Sequence, residues 1–205
     1  MSVLLPYGDR AVLVECGDEH PGGFAEALRR SSRWGSAAPI EVVPGARTVL
    51  LTFADPVHLA DIESILEELA TATGSPDDSN VIIEIGVDYD GEDLESVAHE
   101  TGRSIDEVVE AHTTALHTVD FCGFAPGFAY MSGVPDWLHV ARLATPRTKV
   151  PAGSVAIAAG WSAVYPGASP GGWRLIGRTD VVVFDPDRSA PALLPPGAKV
   201  RFVAR

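Results

Sequence analysis

Apolar positions in the first part of the chain fall into short β-branched runs separated by stretches that repeat every three to four residues. Ala11–Cys16 (AVLVEC) predicts a strand. Gly22-Gly23 then opens FAEALRRSSRW, in which Phe24, Ala27 and Leu28 form one helical face. Ile40–Val43 and Thr48–Phe53 are two strand runs separated by Pro44-Gly45-Ala46-Arg47, a hairpin signal. Asp55-Pro56 starts a second helix, because proline is tolerated in a first turn, and Leu59, Ile62, Ile65, Leu66 and Leu69 recur at helical spacing. Residues 74–80 (GSPDDSN) predict a loop and Val81–Val87 a further strand. The order is β-α-β-β-α-β, so residues 1–87 are expected to form a ferredoxin-like α+β domain.

Asp88–Glu95 (DYDGEDLE) is expected to link this domain to a second one, residues 88–205. As a calcium loop it fails, because the sixth position, which must be glycine, is Asp93. It reads as a solvated acidic turn. Leu94–Thr101 predicts a short helix capped by Gly102, and Ser104 with Glu107 forms a capping box for a helix that runs toward Ala115. The pattern then changes. Leu116–Cys122, Val155–Ala159, Ala163–Tyr165, Trp173–Ile176, Val181–Phe184 and Val200–Val203 are short apolar runs divided by glycine and proline. Ten of the 16 prolines lie after residue 120, which points to a β-sandwich or small barrel.

The 205 residues suffice for one large domain or two small ones, and 46% hydrophobic with 21% charged residues excludes wholesale disorder. No apolar run reaches the ~18 residues of a transmembrane helix, and MSVLLPYGDR lacks the basic start of a secretory signal. Cys16 and Cys122 are far apart, which excludes a disulfide framework or Cys-rich zinc site and suits the cytoplasm. The net charge of −13 is uneven: residues 1–100 carry 20 acids and 5 bases, residues 101–205 carry 8 acids and 10 bases. An acidic chain disfavours nucleic acid as a partner. Yet Arg142, Arg147, Lys149, Arg174 and Arg178 fall within 37 residues of a Gly- and aromatic-rich stretch, a composition suited to a small anionic ligand.

Gly167-Ala168-Ser169-Pro170-Gly171 matches the nucleophile-elbow string, but the residue after the serine must donate its N–H to the oxyanion hole, and Pro170 has none. Gly167–Gly172 has the glycine spacing of a P-loop, but Trp173-Arg174 replaces the required Lys-Ser/Thr. The six histidines form neither HxH nor HExxH, so no metal site is expected. His112, near the end of the capped helix, reads from chemistry alone as a helix-end histidine. Three dense segments remain: Phe121–Tyr130, Thr145–Ile157 and Tyr165–Thr179. Their glycines and prolines can set backbone N–H groups toward an anion, Arg147, Lys149 and Arg174 can supply charge, and Phe128, Tyr130, Tyr165 and Trp173 can form apolar walls, or simply fill a barrel core.

GFAPGFAY, PRTKVPAGSVAIA and SPGGWRLIGRT, in this order, together with Tyr7–Ala11, VDYDGEDLESVA and PPGAKVRFV, resemble the family of KipI and the 5-oxoprolinase B subunit, also named for allophanate hydrolase subunit 1. The resemblance covers essentially the whole chain. It implies an N-terminal α+β domain and a C-terminal cyclophilin-like β-barrel. It also implies a cytoplasmic subunit, without a metal site of its own, of an ATP-dependent 5-oxoprolinase that hydrolyses 5-oxoproline to glutamate. The implied partners are a companion barrel subunit, like the C component of 5-oxoprolinase, and a deacetylase-like A component, with ATP and Mg shared among them. Two other roles occur in the family: a regulator that inhibits a histidine kinase, and the carboxyltransferase half of a urea-carboxylase system. By resemblance, functional weight falls on Asp9, His112, Pro126, Gly127, Phe128, Arg147, Lys149, Tyr165, Gly171, Gly172 and Arg174. Within the oxoprolinase reading, Arg147, Lys149 and Arg174 are expected to meet phosphoryl or carboxylate charge and His112 or Asp9 to carry a proton. The chain departs from the family at Gly160-Trp161-Ser162-Ala163, where an indole stands in place of the usual glutamine.

Overall fold

A computed structural model describes residues 3–17, 21–71 and 81–205, so the expected loop at 74–80 lies outside the described residues. The chain divides into two compact units, Met1–Asn80 and Val81–Arg205.

In the first unit the elements are β1 (Val3–Pro6), β2 (Ala11–Glu15), α1 (Pro21–Arg30), β3 (Glu41–Pro44), β4 (Thr48–Thr52) and α2 (Leu59–Thr71). The four strands form an antiparallel sheet in the order β1-β2-β4-β3. Alternation places Val12, Val14, Val42, Val49 and Leu51 on the face that packs with Ala25 and Leu28 of α1 and Ile62 and Leu66 of α2. Trp34 joins this core, its indole N–H donating to the Leu28 carbonyl (2.8 Å). The hydrophobic pattern does not predict β1, because Val3–Pro6 is too short and too exposed to show a period.

The second unit contains β5 (Ile82–Val87), α3 (Leu94–Thr101), α4 (Ile105–Thr114), β6 (His117–Cys122), β7 (Ala129–Ser132), β8 (Arg147–Val150), β9 (Ser154–Ala158), β10 (Trp161–Val164), β11 (Ser169–Gly171), β12 (Arg174–Arg178) and β13 (Lys199–Ala204). Seven strands form one sheet in the order β12-β9-β10-β7-β6-β13-β5, and β8 pairs with β11 beside it. The sheet nearly closes into a barrel, because Asp88 at the end of β5 exchanges both backbone hydrogen bonds with Arg178 at the end of β12 (2.9 Å each). Full pairing of this kind removes exposed edges.

Three expectations change here. The strand at 82–87 belongs to the second unit and pairs parallel with β13, from Ile82↔Lys199 to Val87↔Ala204. Its Ile85 and Val87 are fully buried with Phe202 in the barrel core. The acidic stretch after it is the seam of the barrel, not a linker: Gly91 donates to the Ile176 carbonyl (3.3 Å) and Asp93 to that of Leu175 (2.9 Å). Val181–Phe184 is not a strand; an isolated bridge links Phe184 to Ala192, with Val183 buried in the core and Val181 packed against it.

The helices match their local signals. Gly102 takes the left-handed conformation (φ 66°) at the end of α3, and Ser104 and Glu107 make both bonds of the capping box. Leu94, Val97, Ala98 and Val108 turn into the barrel core, so the two helices plug the barrel as well as flank it.

Candidate functional site

β9 has two apolar faces. Val155 and Ile157 enter the main barrel core, whereas Ala156 and Ala158 face a separate cluster with Phe128, Ala163, Tyr165, Trp173 and Leu175. Small side chains on β9 and β10 leave room above them, and aromatic rings occupy it. Phe128 meets Tyr130, Tyr165 and Trp173 edge-on at 5.1, 5.2 and 5.5 Å between centroids. Tyr130 also stacks on Phe121 (4.2 Å) and meets Trp161 (6.1 Å). The edge-to-face geometry satisfies the ring quadrupoles. Phe128 and Tyr165 are sealed inside, while Tyr130, Trp161 and Phe121 keep part of their surface in solvent.

A β-bulge shapes one side of this wall. The β6–β7 register jumps from Val119↔Met131 to Phe121↔Tyr130, leaving Asp120 as the extra residue. In a regular strand Asp120 and Phe121 would face opposite ways. Here both meet Trp161: its indole N–H donates to Asp120 Oδ2 (2.9 Å) and its ring lies edge-on to Phe121 (5.8 Å). Ser132 donates to the other Asp120 oxygen (2.7 Å). Trp161 follows a tight turn in which Ala159 and Gly160 both have positive φ, and it is half-buried at the edge of the wall.

The GFAPGFAY loop is fixed by its glycine and by strain. Gly127 has φ +80°, and a Cβ there would strike the Phe184 side chain. Phe124 also has positive φ (69°), uncommon for a bulky residue, and is 63% exposed while touching Phe128. Pro126 is exposed at the tip. On the opposite side, Gly171 is required by the Tyr165 hydroxyl, which occupies the place of a Cβ. The Gly172 carbonyl accepts from the Leu143 N–H (2.7 Å).

The cations are divided. Arg147 donates to Asp93 Oδ1 (2.8 Å) and Glu92 Oε2 (3.3 Å), and the Asp93 hydrogen bond above all holds its guanidinium more strongly charged than usual. Asp93 is buried and uses its second oxygen to accept the Leu175 N–H (2.7 Å). Arg174 donates to Glu100 Oε2 on α3 (2.8 Å) and to the Ala141 carbonyl (3.1 Å). Two of the three expected anion-binding cations are therefore neutralised by acids on or beside α3. Lys149 is exposed, and among the described residues no carboxylate pairs with it. Arg142 lies outside all three dense segments, so the motifs give it no weight. Its guanidinium stands 5.8 Å over the Trp173 ring, and among the described residues it has no carboxylate partner.

His112 is fully buried. Its Nδ1 lies 2.6 Å from the Tyr89 hydroxyl and its Nε2 2.9 Å from Ser162 Oγ, and the ring stacks on Phe202 at 4.4 Å. Burial, then the nearby His117, depresses its pKa well below 6.5, so it is a neutral ring at pH 7. A proton could reach a ligand from it only through Tyr89 or Ser162. Asp9 is an exposed residue of the first unit, where its carbonyl accepts the Val57 N–H (3.0 Å).

Among the described residues, no group of three or more His, Cys, Asp or Glu could hold a metal ion. Nor do they suit a nucleoside triphosphate unaided, because Arg147 and Arg174 are already paired. An open depression of about 710 Å³ beside α3 is lined by Glu92, Glu95, Ser96, His99 and Glu100, and its carboxylates would repel phosphate. A smaller one of about 200 Å³ lies in the first unit around Leu28, Trp34 and Val42. Neither includes the aromatic wall. No helix among the described residues is long and apolar enough to cross a membrane.

Residues 2–194 match the family described as carboxyltransferase domain, subdomain C and D, and the chain belongs to that family. It is 42% identical over 168 residues to the 5-oxoprolinase B subunit of Escherichia coli O157:H7, covering 80% of this chain and 77% of the relative. It is 35% identical over 216 residues to the 5-oxoprolinase B subunit of Bacillus subtilis strain 168, covering 96% and 90%. The crystal structure of TTHA0988 superposes with a TM-score of 0.79 at 34% identity; 96% of this chain is covered, and it spans 40% of that protein.

Proposed function

We propose that this chain is one subunit of a 5-oxoprolinase, a hydrolase complex that opens the lactam of 5-oxoproline to glutamate at the expense of ATP, and that the chain is inactive alone. The observation that carries this reading is its likeness to two proteins named as the B subunit of 5-oxoprolinase, along most of both chains. The geometry supports it in kind. The partly exposed aromatic wall suits a small flat ring, and a lone guanidinium at its edge suits an acid. In the reaction the lactam C–N bond breaks, the oxygen of water joins the carbonyl carbon, and the nitrogen leaves as an amine. ATP supplies the drive: its γ-phosphoryl passes to the amide oxygen as ADP leaves, so ring opening by the first water yields an acyl phosphate, which a second water cleaves to the carboxylate and inorganic phosphate. Because Arg147 and Arg174 are paired in this chain, the phosphates would be met mainly by companion subunits, a barrel-type and a deacetylase-like one.

The test is glutamate release from 5-oxoproline by the purified chain, by the companions, and by all of them together, with and without ATP. ATP-dependent release is expected only from the full assembly. Turnover by the chain alone, or none by the assembly, overturns the proposal. Biotin-dependent carboxylation of urea by the assembly would point instead to the carboxyltransferase role for which the family is described.

A further inference from the structure

We propose that Arg142 receives the carboxylate of a small cyclic acid whose ring lies against the exposed edge of the aromatic wall. The inference deepens the oxoprolinase reading, on which the choice of ligand rests.

Four observations converge on Arg142. First, among the described arginines of the barrel unit, Arg142 stands without a carboxylate partner, whereas Arg103, Arg147, Arg174, Arg178, Arg188, Arg201 and Arg205 are each paired. An arginine whose planar fork of donors is not taken up by an acid is suited to a carboxylate. Second, its guanidinium stands 5.8 Å over the Trp173 ring, a cation–π contact that uses up none of its N–H donors. Third, it lies near two phenols. Burial raises the Tyr130 and Tyr165 hydroxyls above their ordinary values, and the Arg142 charge opposes both shifts. Fourth, the backbone that carries Arg142 is held on both sides. The Ala141 carbonyl accepts from Arg174, the Leu143 N–H donates to Gly172, and the Val140 carbonyl accepts from the Ala159 N–H (2.8 Å).

The fourth observation gives Arg174 and Gly172 a part to play. Arg174 reaches from Glu100 on α3 to the Ala141 carbonyl, so it is a positioning residue that sets the Arg142 loop rather than a ligand for the anion. A monoanion on a small ring fits one guanidinium and an aromatic wall; a phosphate dianion would need further cations, which the paired arginines do not provide.

Binding is tested on the full chain, without companions, by titrating tryptophan fluorescence with L-5-oxoproline and with 2-pyrrolidinone, the same lactam without the carboxylate. The parent protein is expected to prefer 5-oxoproline by ~10-fold or more, the size of a charge-assisted hydrogen-bonded pair. Arg142→Gln should abolish the preference while leaving 2-pyrrolidinone binding unchanged, and Arg142→Lys should keep part of it. Because Arg142 is exposed, melting temperatures of both variants should match the parent. A parent with no preference, an Arg142→Gln variant that keeps it, or displacement by inorganic phosphate as effective as by 5-oxoproline each overturns the proposal. The two proposals fail separately. An assembly that releases no glutamate, while the preference exists and depends on Arg142, leaves the carboxylate site standing and removes the oxoprolinase reading.

Discussion

At the scale of single residues, burial decides what a side chain can do. His112 sits at a helix end, where the dipole favours its charged form. Its ring is nevertheless enclosed by Tyr89, Ser162, His117 and Phe202, and removal from water prevails. The consequence for stability has a definite sign. As pH falls below 6.5 an unfolded chain takes up protons at His112 and His117 more readily than the folded protein, in which burial lowers both pKa values, that of His112 well below the ordinary one. The unfolded state then binds more protons, so stability is lost toward acid, by up to ~1.4 kcal/mol per pH unit for each ring. Melting temperature is expected to drop between pH 7 and pH 5.5, and to drop less steeply in His112→Gln. A variant with the parent's slope would show that His112 is not the group responsible. The GFAPGFAY and SPGGWRLIGRT strings do mark Phe128 and Gly171, which the folded barrel gathers around Tyr165. Nothing local sets Arg142 apart from the other bases: its significance comes from Trp173, 31 positions later, and from carboxylates that occupy the other arginines.

At the scale of elements, short-range signals are reliable and pairing partners are not. The helix 94–101, its glycine cap and the Ser104–Glu107 box are legible because the interacting groups lie within one turn. The acidic stretch 88–95 offers no such guide. Its charge suggests solvent, yet Asp93 is buried and serves two donors, the Arg147 guanidinium and the Leu175 N–H, across the barrel seam. Removing a buried carboxylate of this kind strands its partners, so Asp93→Ala should cost ~3–5 kcal/mol in urea unfolding of the second unit. Arg147→Met, which removes the partner cation and keeps the apolar stem, should cost less, because Asp93 would retain the Leu175 N–H. Equal losses would mean that the seam depends on the ion pair rather than on the backbone bond.

At the scale of the whole chain, the boundary between the units follows from β5. Its apolar run fits either a sixth ferredoxin-like element or a barrel strand, and only its six parallel partners on β13 distinguish the two. A fragment of residues 81–205 is expected to unfold cooperatively, whereas 88–205, lacking β5, would expose β13 and the buried faces of the barrel and should not. If 88–205 melts as sharply as 81–205, the seam does not need the strand. By itself the sequence determined the α+β character of the first part, the β-rich character of the second, the two capped helices and the motif strings, because each rests on residues close together along the chain. Only the tertiary structure decided where β5 belongs, that the seam is acidic and closed, that Arg147 and Arg174 are already paired, and that Arg142 is not. Those are contacts between positions about 30 to 120 apart, where the pairing of charges and strands depends on which partners the folded barrel brings together, and no local pattern encodes that choice.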